Sequence, residues 1–251
     1  MERKFIILFF VSIFSLPLCN SVSAEKIVFL TLEKDIPPNV YNEDGILKGI
    51  YVEIIQEVCS KLDMEAEFQR YPWKRCVEYI KRGRGDAIFP PIYTEERNDF
   101  LYFPKVPMTS KKVAVFVRSQ SNIRIENVSD LKNITIGVNR GYSYGEKFDS
   151  YQGLKKVYSN NIDTQVNMLI FNRFDAAIAV KAPFMFVSKK MGLADKIKVA
   201  YIISEVPSYV AFSKATGNKG KLMSEKFSQV LRHLKREGVI QKIENKYVTP
   251  N

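Results

Sequence analysis

The sequence predicts an α/β protein of two successive lobes, each built on a mainly parallel sheet with helices on both faces. Strand-like and helix-like segments alternate along the chain, and this alternation begins again about halfway, so each half predicts one sheet. The 251 residues are 46% hydrophobic and 26% charged, which is typical of a globular protein with a buried core. Beyond the first two dozen residues, no apolar run approaches the roughly 20 residues that cross a bilayer.

Each lobe is predicted from a βαβαβ series, in which apolar residues recur at helical spacing in the longer segments and short apolar runs indicate strands. The first series is strand Ile27–Leu32, helix Gly49–Leu62, strand Glu65–Tyr71, helix Trp73–Arg82 and strand Asp86–Phe89. The second series is strand Ile134–Val138, a helix from Tyr144, strand Lys155–Tyr158, helix Ile162–Asn172 and strand Asp175–Val180.

Two crossings between the lobes are predicted, near Val113–Val117 and near Tyr209–Phe212. They divide the chain into a first lobe of residues 25–114 and 210–251 and a second lobe of residues 115–209. Bending at these crossings would close one lobe over the other.

The two halves share a weak internal repeat, because a helix leads to Asp86-Ala87-Ile88 in one and to Asp175-Ala176-Ala177-Ile178 in the other. Each aspartate is also a residue type that caps tight turns between a helix and a strand. The repeat therefore indicates duplicated topology whether or not the aspartates have a further role.

The N-terminus has the pattern of an export signal. Arg3 and Lys4 precede the uncharged, mostly apolar run Phe5–Leu18, and small residues lead up to Ala24. We expect residues 1–24 to be a signal peptide and the exported, mature protein to begin at Glu25. A lipoprotein that uses Cys19 is the alternative, which the bulky residue before this cysteine disfavours.

The chain is strongly basic, with 38 Lys and Arg against 27 Asp and Glu and a net charge of +11. The basic residues are dispersed as lysine pairs and form no arginine-rich helix with interleaved aromatic residues, so we expect no nucleic-acid partner. An anionic small ligand or an anionic membrane face stays compatible with this charge.

Two cysteines, Cys59 and Cys76, remain in the mature chain, and an even number in an exported protein is typical of a disulfide. Each of them, however, falls on the apolar face of a predicted helix, and the two helices are expected on opposite faces of one sheet. Two buried thiols are therefore favoured over a disulfide.

Polar and aromatic residues follow the predicted strands at the edge where open parallel sheets bind ligands, which predicts a cleft between the lobes. Arg97 could hold a carboxylate by a bidentate fork, and the capping-box spacing of Ser143 and Glu146 places backbone N–H groups at a helix start nearby. The candidate ligand-binding residues are Asp35, Trp73, Pro90, Arg97, Arg140, Tyr142 and Ser143.

The order of several short motifs resembles the family 3 periplasmic solute-binding proteins of ABC transporters, the polar amino acid binders, over residues 25–247. The resemblance implies a two-lobed periplasmic binding protein fold of type II, a small-molecule ligand, a permease in the inner membrane, a monomer, and neither cofactor nor metal. The motifs are Pro37-Pro38, Asp44-Gly45, Gly85-Asp86-Ala87, Thr94-Glu95-Glu96-Arg97, Asp130-Leu131-Lys132, Phe174-Asp175-Ala176 and Leu234-Lys235-Arg236-Glu237-Gly238.

The resemblance also implies roles for single residues. Arg97 matches the arginine that grips the ligand α-carboxylate, and Tyr142 and Ser143 match the helix-start pair on the same group. Val180 departs from the family, because an aspartate for the ligand ammonium usually stands there. Asp35 lies near a position where an aromatic side chain often covers the ligand.

Other interpretations of these residues stay open. Trp73 could be a core residue, and Arg97 could pair on the surface with Glu95 or Glu96. An enzyme on the same fold, similar to a cyclohexadienyl dehydratase with Asp35 or Glu33 as acid or base, is the main rival to a binding protein. The absence of a recognisable nucleophile or metal motif disfavours an enzyme. A sensor module is disfavoured because no membrane helix follows before Asn251.

Overall fold

The computed structural model describes residues 24–140, 142 and 144–249. The proposed signal peptide up to Ser23, with Cys19, lies outside them. The strands are β1 (Glu25–Leu32), β2 (Tyr41–Glu43), β3 (Ile46–Lys48), β4 (Met64–Tyr71), β5 (Ala87–Ile88), β6 (Leu101–Tyr102), β7 (Thr109–Arg118), β8 (Thr135–Asn139), β9 (Lys155–Ser159), β10 (Ala176–Val180), β11 (Ile197–Ser208) and β12 (Ala211–Ser213). The α-helices are α1 (Ile50–Ser60), α2 (Trp73–Lys81), α3 (Glu95–Asn98), α4 (Glu146–Asp149), α5 (Ile162–Ile170), α6 (Lys181–Lys190), α7 (Asn218–Arg236) and α8 (Val239–Val248). Within the described residues, no helix is both long enough and apolar enough for a bilayer crossing.

Two five-stranded sheets form the two lobes, which confirms the predicted α/β architecture. The first has the order β4-β1-β5-β12-β6 and the second the order β11-β7-β10-β8-β9. The strands of each predicted βαβαβ series pair in parallel, whereas β12 and β6 in one sheet and β7 and β11 in the other pair antiparallel. Each sheet is therefore mixed. The first strand after each crossing, β7 in the second sheet and β12 in the first, runs antiparallel to the strands of the βαβαβ series.

The segment Val113–Val117, where a hinge is predicted, lies within a strand. This segment is the centre of β7, which pairs with β10 on one side and with β11 on the other, and its side chains are buried. Bending there would break hydrogen bonds of two ladders. The chain instead crosses between the sheets at residues 103–108 and 209–210, and the second crossing overlaps the predicted Tyr209–Phe212. We propose that these crossings, rather than positions 114 and 115, divide the lobes.

The first sheet is covered on both faces. Its residues Ile27 and Phe29 pack with α1, α7 and α8 in one buried cluster, and Leu30 packs with α2 in another. Cys59 belongs to the first cluster and Cys76 to the second, so the sheet separates two free, buried thiols. Burial raises the pKa of Cys59 to about 12 and that of Cys76 to about 11. Neither thiol is therefore a nucleophile at neutral pH.

The two aspartates of the internal repeat make the same contacts in both lobes. Asp86 Oδ2 accepts a 2.9 Å hydrogen bond from the Val28 N–H, and the Asp86 N–H donates to the Val28 carbonyl. Asp175 Oδ2 accepts 2.7 Å bonds from the N–H and the hydroxyl of Thr135, and the Asp175 N–H donates to the Thr135 carbonyl. Each aspartate thus ties the start of its strand to the neighbouring parallel strand, β1 or β8.

We expect Asp175→Ala to lower the free energy of unfolding by about 1–3 kcal/mol, because hydrogen bonds to a carboxylate are lost and the Thr135 N–H is left without its acceptor. Urea unfolding followed by circular dichroism measures this change. Asp195→Ala is the control, since Asp195 is exposed and its replacement should stay within about 0.5 kcal/mol. Equal effects of the two variants would contradict the structural role of Asp175.

The stabilisation by Asp175 should depend on pH. Hydrogen bonds from the backbone and side chain of Thr135 lower the pKa of Asp175 below its ordinary value. A carboxyl group whose pKa is lower in the folded protein stabilises the fold fully above its ordinary pKa, and this stabilisation is lost as the pH falls through the folded pKa. The difference in unfolding free energy between the wild type and Asp175→Asn should therefore be constant at pH 6–7 and shrink below about pH 4. A difference that does not change down to pH 2 would contradict this assignment.

Candidate functional site

The carboxyl ends of β1, β4 and β5 lie at one edge of the first sheet, because these strands run parallel. The segments that leave this edge contain Asp35, Trp73 and Pro90. The loop after β5 continues into α3, which contains Arg97. Four of the seven predicted ligand-binding residues therefore follow a single sheet edge, as expected for a cleft in this class of fold.

Trp73 and Arg97 are brought together. The Arg97 guanidinium carbon lies 5.8 Å from the centre of the Trp73 ring, and Nη1 donates a 2.9 Å hydrogen bond to the Ile92 carbonyl. The Thr94 hydroxyl caps α3 by accepting from the Arg97 N–H at 3.2 Å, which fixes the backbone. Both side chains are half-buried, so Trp73 is not a closed core residue.

The guanidinium of Arg97 keeps capacity for a ligand. Among the described residues, no carboxylate lies within ion-pair distance of it, and Glu95 instead accepts a hydrogen bond from the Tyr93 hydroxyl. A guanidinium has five N–H donors, and the bond to Ile92 uses one. A half-buried cation against an aromatic face is an arrangement that can hold a carboxylate by two parallel hydrogen bonds.

Aromatic side chains line the crossings beside this position, and the sequence reasoning missed them. Phe103 contacts Tyr93 and Tyr209 with ring centres 5.2 and 5.3 Å apart, both edge to face. The Tyr209 N–H donates to the Pro91 carbonyl at 3.2 Å, which holds one crossing against the turn that contains Pro90. An aromatic residue on each crossing, Phe103 and Tyr209, was the available sequence signal.

Asp35 is engaged by a residue that the sequence reasoning also missed. Its Oδ1 accepts from Arg70 Nη2 at 2.7 Å and from the Asn42 N–H at 3.1 Å. Arg70 also donates to the carbonyls of Leu32 and Glu33, so it fastens the end of β1. A carboxylate that already has a cation beside it is a poor partner for a ligand ammonium. Parallel pairing of β1 and β4 places Arg70 beside Thr31, near the end of β1. A sequence pattern alone does not determine this register, so it could not predict that Arg70 reaches Asp35.

The second sheet places Arg140 and Tyr142 just after β8. The Arg140 guanidinium lies 5.5 Å from the centre of the Tyr158 ring, and its N–H donates to the Ser159 carbonyl. Tyr142 is 54% exposed and its ring stacks on that of Tyr144. Both residues therefore stand at the carboxyl edge of this sheet, with side chains accessible to a ligand.

The helix start predicted at Tyr144 is wrong in its position. Helix α4 begins at Glu146, after Gly145 with φ 98°, and is four residues long. The Asp149 carboxylate accepts from the N–H groups of Tyr144 and Gly145 at 3.0 Å, and thus occupies donors that the prediction gave to a ligand. Ser143 lies outside the described residues, and its ligand contact stays a prediction.

A buried network of polar side chains lies at the carboxyl ends of β8 and β9, next to Arg140. Asn139 Nδ2 donates to Gln165 Oε1 at 3.0 Å and the Ser159 hydroxyl donates to Asn139 Oδ1 at 2.6 Å. Gln165 Nε2 in turn donates to the carbonyls of Gly137 and Ile178. Satisfied networks of this kind hold strand ends rigid. Polar residues at the ends of β8 and β9 were the signal for it.

Val180 ends β10 and stands at the N-cap of α6 without any side-chain cap. It is half-buried and apolar, so this position of the second lobe offers no carboxylate to a ligand. In the part of the chain that the structure describes, no three His, Cys, Asp or Glu side chains are arranged as metal ligands.

The chain is similar to known proteins along nearly its whole length. The family described as bacterial extracellular solute-binding proteins, family 3, matches residues 27–250. The probable amino-acid-binding protein YxeM of Bacillus subtilis is 27% identical over 214 residues, 84% of this chain and 79% of that protein. The arginine-binding extracellular protein ArtP of the same organism is 25% identical over 92% of this chain and 89% of its own length. The L-cystine solute receptor of Neisseria gonorrhoeae, in its unliganded open conformation, has the same fold, with a TM-score of 0.75 at 22% identity over 90% of this chain and 94% of that one.

Proposed function

Because the chain belongs to the family 3 bacterial extracellular solute-binding proteins, we propose that it is the periplasmic substrate-binding component of an ABC-type importer. Its ligand is an amino acid or a similar small solute that bears a carboxylate. The observation that carries this proposal is the half-buried Arg97 beside the Trp73 ring at the carboxyl edge of the first sheet. Relatives named for binding arginine and L-cystine support the ligand class.

Capture begins on the first lobe. The ligand carboxylate takes the remaining N–H groups of Arg97 in a fork, and a flat or apolar part of the ligand lies against Trp73. Bending at residues 103–108 and 209–210 then brings the second lobe over the ligand, with Arg140, Tyr142 and Ser143 as its contacts. Only a ligand that touches both lobes favours the closed state, because a ligand of one lobe has no differential affinity. The closed monomer would dock on the permease in the inner membrane.

An enzyme of the dehydratase type is disfavoured by the surroundings of Asp35. A general acid or base has to lie within hydrogen-bond reach of a substrate, whereas Asp35 Oδ1 already accepts from Arg70 Nη2 and from the Asn42 N–H. Relatives of this chain are named as binding proteins. We therefore propose binding without turnover.

Native mass spectrometry of the freshly purified mature protein tests the proposal directly. We expect a monomer that carries one small molecule, whose mass identifies the ligand class. Protein that has been unfolded, washed and refolded is the control, and it should lose the extra mass and recover it from a periplasmic extract. Conversion of a prephenate-like substrate by the same preparation would show an enzyme and overturn the proposal.

A further inference from the structure

A cavity lies on the first lobe, beside the start of the first crossing. It has a volume of about 440 Å³ and lies between α7 and the segment that contains β6 and the start of the first crossing. This volume falls within the range of small-molecule sites in proteins. We call it the β6–α7 cavity. Phe103 lines it and also contacts Tyr93 and Tyr209, so this residue stands between the cavity and the aromatic side chains of the crossings.

Helix α7 presents a polar face to this cavity. Lys221, Ser224, Ser228 and Arg232 recur at intervals of three and four residues, which is the spacing of one helix face. The Ser228 hydroxyl accepts a 3.1 Å hydrogen bond from the Val106 N–H, which fixes the helix against the crossing and keeps the cavity formed. The apolar face of α7, with Phe227 among its residues, packs in the core instead.

The lining of the cavity carries an excess of positive charge. Lys105, Lys214, Lys221 and Arg232 line it, with Glu225 as the one acidic residue among the described lining residues. Lys214 is fixed in place, because its Nζ donates to the Asn98 carbonyl at 2.5 Å and lies 5.3 Å from the centre of the Tyr102 ring. Within the described ranges, none of the four cations makes an ion pair with a carboxylate.

We propose that the β6–α7 cavity binds a small anion that bears a phosphate group. A phosphate monoester carries more than one negative charge at neutral pH, which matches several cations around one cavity better than a single carboxylate does. Lysine ammonium groups serve as point charges for phosphate, and the guanidinium of Arg232 can bind two of its oxygens. The cavity exceeds the size of inorganic phosphate, and Tyr102 and Phe103 offer apolar surface to an organic part. This site is independent of the solute-binding function proposed above.

Calorimetry with glycerol 3-phosphate tests the proposal at low salt, where screening is weak. The double variant Lys221→Gln/Arg232→Gln removes two cations of the cavity, and we expect its dissociation constant to rise about tenfold or more. The matched control is Lys226→Gln/Arg236→Gln, which removes the same charge from the same helix outside the cavity and should change the constant less than about twofold. A dissociation constant that is unchanged in Lys221→Gln/Arg232→Gln would place glycerol 3-phosphate elsewhere on the protein and overturn the proposal.

Two sources of the phosphate group can be told apart with vesicles. Sedimentation with vesicles that contain phosphatidic acid, but not with phosphatidylcholine vesicles, would identify a lipid headgroup if the cavity variant loses it and the control variant keeps it. Binding of glycerol 3-phosphate without sedimentation on either kind of vesicle would identify a free organic phosphate. Equal losses in the cavity and control variants would mean general attraction to a basic surface and overturn the proposal. The proposal would also be overturned if the wild type bound neither glycerol 3-phosphate nor the anionic vesicles.

Discussion

Replacing Arg97 with alanine is expected to weaken binding of the co-purified ligand by about 2–4 kcal/mol while the fold stays intact. The variant removes the guanidinium that faces Trp73, and a buried ligand carboxylate then lacks its charged partner. Arg97→Lys should recover only part of the affinity, because an ammonium cannot make the two parallel bonds of a guanidinium. Isothermal titration calorimetry measures both effects, and circular dichroism checks the fold.

The control for this experiment is Arg82→Ala, an exposed arginine just after α2 on the same lobe. It removes an equal charge without touching the proposed site, so its ligand affinity should stay within about 0.5 kcal/mol of the wild type. An unchanged affinity in Arg97→Ala would place Arg97 outside the ligand site. It would also remove the observation on which the importer proposal depends most.

The second large effect concerns which member of the proposed ligand class binds. We expect the twenty standard amino acids to bind weakly or not at all, and the ligand to be a similar solute with an anionic group for Arg97 and a flat or apolar part against Trp73. A ligand ammonium buried in the closed cleft without a carboxylate partner costs several kcal/mol. Val180 supplies no carboxylate, and Asp35 already accepts from Arg70. A thermal-shift panel measures this, since a ligand at 100 times its dissociation constant should add about 2.7 kcal/mol of stability.

The variant Val180→Asp tests whether the missing carboxylate at position 180 is the reason why amino acids bind weakly. Aspartate is a favoured N-cap residue, and Val180 stands at the N-cap of α6 without a side-chain cap, so the substitution suits the local backbone. We expect some amino acids to stabilise this variant more than the wild type. Val180→Asn is the uncharged control. A large shift of the wild type with glutamine or arginine would show that another group has replaced the missing aspartate.

The parallel part of each sheet could be predicted from the sequence, because alternating short apolar runs and amphipathic helices determine a βαβαβ unit locally. The antiparallel strands could not. Residues 113–117 have the composition of any buried strand, and nothing local tells whether such a strand lies in one sheet or links two. The position of a crossing depends on partners distant in sequence, and here it falls at residues 103–108 instead.

Some features of the candidate site could likewise be predicted from the sequence, and others could not. Arg97 and Trp73 follow strand ends that the alternation predicts, and the structure places them in contact. Asp35 was predicted to be available for a ligand because its sequence neighbours do not indicate Arg70, which reaches it only through the register of β1 and β4. The N–H groups before α4 were predicted to be open for the same reason, since Asp149 accepts from them after the chain turns back.

The strand order of the first sheet has a consequence for the course of folding. β12 pairs with β5 on one side and with β6 on the other, so the first sheet joins its two parts only when residues 211–213 are in place. The second sheet is formed entirely by the uninterrupted segment 109–208. Contacts within one continuous segment close shorter loops than contacts between distant segments, and they form faster. We therefore expect the second lobe to fold first as a unit, and the first lobe to be completed around it by the last part of the chain.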